Sequence, residues 1–352
     1  MGLGRYVARR GIYIVVLLLL VVTFSFFLFQ VLPFEVSCPG MTSLKCAYQL
    51  YLPPPPSNCG NSVACYKMVM CARAASVNNT FGFAEPLPVR FVLYLKAMFT
   101  FNFGCNVGIA PFPGATVLST IVATAPYTLI LVGLASIASF LVGTGIGAVT
   151  AAMRGKALDV SSCAILLFLN SLPVFFLGAL LMLAQLGLTS HHYIALGWLE
   201  IGMSGWAFDV ALLRAFFLPF VTLTLAGTAG VFLAQRGVMA DTMKEDYVLM
   251  ARAKGLPETT VVRKHALRNV VLPVASAFSI FVGITLSGAV VTEVVFSWPG
   301  LGEDMYSGML ATDYPLVQAA FFIFAIMMLA ALFVGGVTYG FLDPRVRGSA
   351  MT

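Results

Sequence analysis

Long uncharged apolar runs alternate with polar segments along this chain, and one of those polar segments stands out by its charge. Arg5, Arg9 and Arg10 precede an uncharged run from Gly11 to Pro33. Further apolar runs cover 116–153, 160–188, 215–234, 270–295 and 316–342. A helix needs roughly 20 apolar residues to cross a bilayer, so the pattern predicts six membrane spans. A cleavable signal peptide has an apolar core of only about 7–15 residues and a small-residue cleavage site. The first run is longer and ends in Phe26, Phe27, Phe29 and Val31, so it is expected to be retained as span one. The run 116–153 exceeds one upright crossing, and Pro126 is expected to divide an outer interfacial part from span two itself. Leu172-Pro173 breaks span three locally.

Composition agrees with lipid as the solvent. The chain is 60% hydrophobic and 10% charged, whereas a soluble domain carries about 25% charged residues. The formal charge of +6 is not the footprint of a nucleic-acid binder, because it follows membrane topology. With the amino terminus inside, the inner segments hold fourteen of the twenty Lys and Arg, which satisfies the positive-inside bias. Six of the seven cysteines (Cys38, Cys46, Cys59, Cys65, Cys71 and Cys105) then lie outside, and Cys163 lies alone in span three. An even cluster in one outer segment points to disulfides, which need an oxidising side. Metal binding fits less well, since that segment has no Cys-x-x-Cys pair and no histidine.

The same segment, 34–113, carries the run Pro53 to Pro56, expected to be an extended spacer, and a glycosylation-type triplet Asn78-Asn79-Thr80. Phe91–Phe103 reads either as an amphipathic helix on the membrane surface or as a helix packed on the bundle. The loop 189–213 holds His191-His192, which are expected to be solvated, and Trp198 and Trp206 at headgroup level.

No catalytic constellation emerges. Phosphate-loop, His-Glu-x-x-His and Gly-x-Ser-x-Gly patterns are all missing from the sequence. Gly143-Thr144-Gly145-Ile146-Gly147 lies mid-span with no strand before it, so Gly143 and Gly147, like Gly336 and Gly340, are read as sites of close helix packing. Inside the spans as drawn, the first charge is Glu293. An ion-driven carrier usually needs buried charges or broken helices, so the scarcity points to energy entering from elsewhere. A stand-alone secondary transporter or channel, with a path lined by Asn170, Ser171, Gln185 and backbone carbonyls, stays open at this stage.

The charged segment is Gln235 to Pro273. Asp246 is placed as a helix N-cap and Gly255 as the left-handed residue that ends the helix. Pro257 fits the first turn of a second helix, with Glu258 near its positive end, and span five is expected to start at Leu272-Pro273. On the first helix Tyr247, Met250, Ala251 and Lys254 share a face, and the small Ala251 and Ala253 permit close approach by another surface. A solvated loop that only sets orientation would not need two capped helices, so this one reads as a docking element.

The segment resembles the coupling loop of ABC importer permeases, in the form used by the B-type subunit of the dipeptide/oligopeptide/nickel permease family. The match runs through Asp246-Tyr247-Val248, Ala251-Arg252-Ala253-Lys254-Gly255-Leu256, His265-Ala266-Leu267-Arg268-Asn269 and Leu272-Pro273. Phe83-Ala84-Glu85-Pro86-Leu87-Pro88-Val89, Ser171-Leu172-Pro173-Val174-Phe175-Phe176-Leu177-Gly178 and Glu293-Val294-Val295-Phe296-Ser297-Trp298-Pro299-Gly300-Leu301-Gly302 are similar to family segments. So are Asp313-Tyr314-Pro315 and Leu342-Asp343-Pro344-Arg345. Two departures affect the outer face: Pro33-Phe34-Glu35-Val36 stands where the family has a Pro-Gly-Asp-Pro-like motif, and the cysteine-bearing insertion is not typical.

The resemblance implies an all-α membrane protein, the six-helix transmembrane domain of a type I importer. It would comprise a tail and first helix at 1–33, an external loop at 34–113, a permease core at 114–342 with its cytoplasmic coupling loop at 235–269, and a tail at 343–352. It implies a second permease subunit, two cytoplasmic ATPases that hold the ATP and Mg, an external solute-binding protein, and no cofactor in this chain. Asp246, Tyr247, Met250, Ala251, Arg252, Ala253, Lys254, Gly255 and Leu256 would contact an ATPase. Asn170, Ser171, Pro173 and Glu293 are the candidates for the translocation path. Di- and oligopeptides are the expected cargo, with oligosaccharides or nickel as alternatives on the same machinery.

Overall fold

The computed structural model describes residues 3–31, 80–81, 85–104, 106, 116–153, 155–188, 206–311 and 313–342. Every regular element among them is helical: α1 (Leu3–Phe26, continued by a wide π-helical turn at Phe27–Val31), α2 (Leu87–Phe99), α3 (Val117–Ala152), α4 (Ala157–Ser171) and α5 (Val174–Leu188). There follow α6 (Trp206–Thr242), α7 (Asp246–Ala253), α8 (Glu258–Thr260), a second π turn at Val261–Ala266, α9 (Leu267–Phe296), α10 (Leu301–Leu310) and α11 (Tyr314–Leu342). The cysteines Cys38, Cys46, Cys59, Cys65, Cys71 and Cys105, the proline run, Asn78 and Asn79, the histidine pair, Trp198 and the tail from 343 lie outside the described residues.

Contacts group the chain into two units, one of Met1–Tyr13, Tyr127–Pro299 and Met328–Thr352, the other of Ile14–Pro126 and Gly300–Met327. In the second unit α2 is a packed helix. Its Tyr94, Ala97 and Met98 are buried with Val22, Phe26, Phe81, Leu301 and Phe322, and the Tyr94 and Ser25 hydroxyls lie 2.9 Å apart in a buried hydrogen bond. Of the two readings for this stretch, packing on neighbouring helices is the one observed.

The first unit holds the helices that decide topology. Ser139, Gly143 and Gly147 of α3 meet Gly227, Val231 and Gln235 of α6, four residues apart on both sides. The Ser139 hydroxyl donates to the Thr224 carbonyl at 3.0 Å. A Cβ on Gly143 would sit 2.8 Å from Val231 Cβ, and one on Gly147 would sit 2.8 Å from Gln235 Cγ. Only glycine lets these backbones approach so closely, the packing mode by which helices associate in lipid.

Because both rows rise together, α3 and α6 point the same way, and the chain between them must cross back. That return is α4 with α5, which pass along α6 in the opposite sense. Asp159 meets Arg236, Leu166 packs with Ala229 and Phe232, and Gly178 faces Thr222. The two helices are bent by 107° at the Leu172-Pro173 break. Proline forces the bend, since it cannot donate its N–H and excludes helical geometry from the residue before it. Leu172 accordingly takes φ −80°, ψ 132°.

Four helices, α1, α3, α6 and α11, are individually long and apolar enough to cross a membrane. The bent pair α4/α5, and α9 with α10, would bring the number to six if each is one span. α9 runs back along α6 as Val270 packs with Met239, Phe281 meets Gly227 and Gly288 meets Leu223. α1 lies antiparallel to the end of α11: the Tyr6 hydroxyl donates to the Gly336 carbonyl and the Arg10 guanidinium to that of Leu332. Gly336 and Gly340 are the contact points for Arg10 and Tyr6, so these glycines do serve close packing. The chain is a multi-pass membrane protein.

Two prolines lie inside continuous helices. α3 continues through Pro126 as one helix of 36 residues, while the two contact units part between Pro126 and Tyr127. α9 is helical from Leu267 and runs on without a break through Leu272 and Pro273. Prolines are tolerated in spanning helices where neighbouring groups and local adjustments satisfy the freed carbonyls.

Candidate functional site

The charged segment folds as two short helices around a glycine. α7 begins at Asp246, with Glu245 rather than Asp246 in the N-cap position, at φ −67°, ψ 144°, and with no side-chain cap bond. The cap therefore falls one residue earlier than expected. Asp246 is instead a first-turn carboxylate, favourable beside the positive end of the helix. The Lys254 N–H donates to the Met250 carbonyl at 3.1 Å and that of Gly255 to Arg252 at 2.9 Å, which closes the last turn. Gly255 has φ +74°, the left-handed geometry expected for it. Pro257 then precedes α8, and Arg252 pairs with Glu258 across the turn.

Which face of α7 is free differs from the sequence reading. Val248 and Ala251, three apart, are 0% and 4% exposed. They pack on Met239, Val261, Val262, Ala266 and Val270. Ala251 therefore does not belong to the outward face with Tyr247, Met250 and Lys254: it seats the helix on its own chain. The outward surface is built from Tyr247 (40% exposed), Leu249 and Met250 (64% exposed), with Leu256 beyond the turn. Asp246, Arg252, Ala253, Lys254 and Gly255 are exposed beside them. Burying Val248 contributes about 1.5–3 kcal/mol, enough to hold so short a helix against the bundle. Exposed Tyr, Leu and Met on a polar segment form an apolar patch that suits a partner surface.

The translocation candidates separate into two places. Asn170, Ser171 and Pro173 are exposed together at the break between α4 and α5, where the Ser171 hydroxyl donates to the Phe168 carbonyl at 2.7 Å. Glu293 is fully buried near the far end of α9 and does not share that surface. Its carbonyl accepts the Trp298 N–H at 2.8 Å, beyond Ser297 in left-handed geometry. Trp298 packs edge-on against Tyr127 and donates its ring N–H to the Tyr127 carbonyl.

Sequence reasoning missed one pair. Asp159 opens α4, just before the third span as drawn, and is buried against Arg236 of α6. The available signal was a pair of opposite charges at the same end of consecutive spans.

Residues 143–348 match the family described as binding-protein-dependent transport system inner membrane component. The chain is 27% identical over 344 residues to the dipeptide transport system permease protein DppB of Lactococcus lactis subsp. cremoris, covering 97% of this chain and 99% of that protein. It is 32% identical over 274 residues to the glutathione transport system permease protein GsiC of Salmonella paratyphi A, covering 78% and 84%. It is 28% identical over 270 residues to the oligopeptide transport system permease protein AppB of Bacillus subtilis, covering 76% and 82%.

Proposed function

Since the chain belongs to the family of binding-protein-dependent transport system inner membrane components, we propose that it forms half of the translocation path of an ATP-driven importer of di- and oligopeptides. The observation that carries the coupling role is the outward apolar patch of Tyr247, Leu249 and Met250, seated by Val248 and Ala251 and ended by the left-handed Gly255. A helix fixed on one face and apolar on the other can be pushed without unfolding. One of two cytoplasmic ATPases receives it; ATP and Mg are held there and not on this chain. A second permease completes the path, and an external binding protein delivers the cargo. The termini and residues 235–269 lie in the cytoplasm, and 34–113 outside.

Asn170, Ser171 and Pro173 line the path, where the break between α4 and α5 offers polar groups on an apolar face. Glu293 supports the far end of α9 from within. Peptide cargo is favoured over oligosaccharide or nickel by the relatives, whose names specify dipeptide, glutathione and oligopeptide transport. The test is reconstitution with the ATPases and binding protein, scoring uptake of labelled dipeptides. Uptake should need ATP hydrolysis and persist without an ion gradient. Uptake by this chain alone that collapses with the gradient would assign it to the secondary transporters.

A further inference from the structure

We infer that Asp159 and Arg236 are positioning residues for transport: their ion pair is a strut that carries movement of the coupling segment to the break in the third span. The inference rests on the proposal that α7 receives the motion of an ATPase. Arg236 Nε lies 3.0 Å from Asp159 Oδ1 and Nη2 lies 3.1 Å from Oδ2, so the guanidinium holds both carboxylate oxygens. Oδ2 also accepts the N–H of Gly155 at 3.1 Å, and Gly155 itself sits at φ +78°. The Asp159 side chain is 3% exposed and that of Arg236 34%. By contrast the nearby Lys244–Asp241 pair lies in the open, at 69% and 82%.

Position makes this pair more than charge compensation. Met239, one turn beyond Arg236, is buried in the cluster that holds Val248 and Ala251 of α7. Asp159 lies in the first turn of α4, a helix of 15 residues that ends at the Leu172-Pro173 break. Two turns further along, Leu166 packs on Ala229 and Phe232. A shift of α7 therefore moves the end of α6, and the two-pronged contact passes that shift to the start of α4. Asn170 and Ser171 sit at the other end of the same rigid helix. Two parallel N–H···O bonds resist rotation as well as separation, which a lysine's single point charge does not.

Replacing a buried ion pair by apolar residues of similar volume is often neutral for stability, which separates a strut from a neutralising pair. Two variants are compared with the unaltered assembly: Arg236→Lys, and Asp159→Leu combined with Arg236→Met. The first readout is peptide taken up per ATP hydrolysed. Both variants should assemble and hydrolyse ATP, with that ratio lowered about three- to tenfold. An unchanged ratio in either, or equal loss of uptake and hydrolysis together with lowered thermal stability, would overturn the strut.

The second readout needs neither ATP nor cargo. In the purified chain, Gly255→Val should alter amide exchange over 157–171, and adding Arg236→Lys should abolish that response. Exchange over 157–171 that ignores Gly255→Val would overturn the strut on its own. Absence of ATP-dependent uptake in the unaltered assembly would overturn the importer reading instead, and leave this second readout to decide.

Discussion

Arg252 Nη2 lies 2.6 Å from Glu258 Oε1, so the last turn of α7 and the first turn of α8 are tied across Gly255 by an exposed ion pair. Such pairs contribute at most about 1 kcal/mol. Arg252→Ala should therefore change the melting temperature little. If the same substitution strongly weakens association with an ATPase in a pull-down, Arg252 acts on the partner and not on the turn.

Gly255 has open space where a Cβ would stand, so only its φ of +74° opposes a side chain. Left-handed geometry costs an ordinary residue roughly 1–2 kcal/mol, and a β-branched one resists it most. Gly255→Val should leave the chain inserted while uncoupling uptake from ATP hydrolysis. Gly255→Asn, which tolerates this geometry, should retain most of the coupling. Equal behaviour of the two in the uptake assay would remove conformation as the cause.

The two faces of α7 should respond in opposite ways. Val248→Ala opens a gap in a fully buried site and is expected to cost about 2 kcal/mol in thermal unfolding. Met250→Ala and Tyr247→Ala, at exposed positions, should leave unfolding unchanged and weaken binding of the ATPase. Binding unaffected by both surface changes would deny the patch a partner.

Gly143 and Gly145 provide an internal comparison on one helix. A methyl on Gly143 meets Val231 and the Thr228 carbonyl at 3.0 Å or less, whereas one on Gly145 meets nothing within 4 Å. Gly143→Ala should destabilise the bundle by about 1–3 kcal/mol through overpacking. Gly145→Ala should be neutral or slightly stabilising, because alanine is the better helix former. Melting curves in detergent would rank them.

The outer cysteines give a chemical test. Mass spectrometry of protein shielded from reduction should find up to three disulfides among Cys38, Cys46, Cys59, Cys65, Cys71 and Cys105. Six free thiols would count against the outer placement.

Much of this was legible in the residues because lipid makes strict demands. Apolar run length located the four long spanning helices and the two bent pairs that would bring the crossings to six, and the glycine spacing at 143/147 and 336/340 marked real contacts. The Gly255 turn was readable because only glycine takes its φ at no steric cost. What escaped had a common origin in packing between distant segments. Ala251 and Met250 are neighbours with similar claims to either face, and only Met239, Val262 and Val270 decide which one turns inward. That the helix runs on through Pro126 was not legible, because sequence does not show what surrounds a proline inside a bundle. The Asp159–Arg236 contact joins residues far apart in the chain, and its one signal, opposite charges at the same end of consecutive spans, is not a local pattern.

The wide turn at Val261–Ala266 has a consequence for how the docking patch is aimed. A π turn holds one residue more than an α turn. Were that turn to tighten to ordinary α winding with all its residues kept, everything before it would swing by about 100° around the axis of α9. Tyr247 and Met250 would then point away from their present heading with no side chain altered. The bearing of the patch is thus a matter of phase, kept by the winding of that turn.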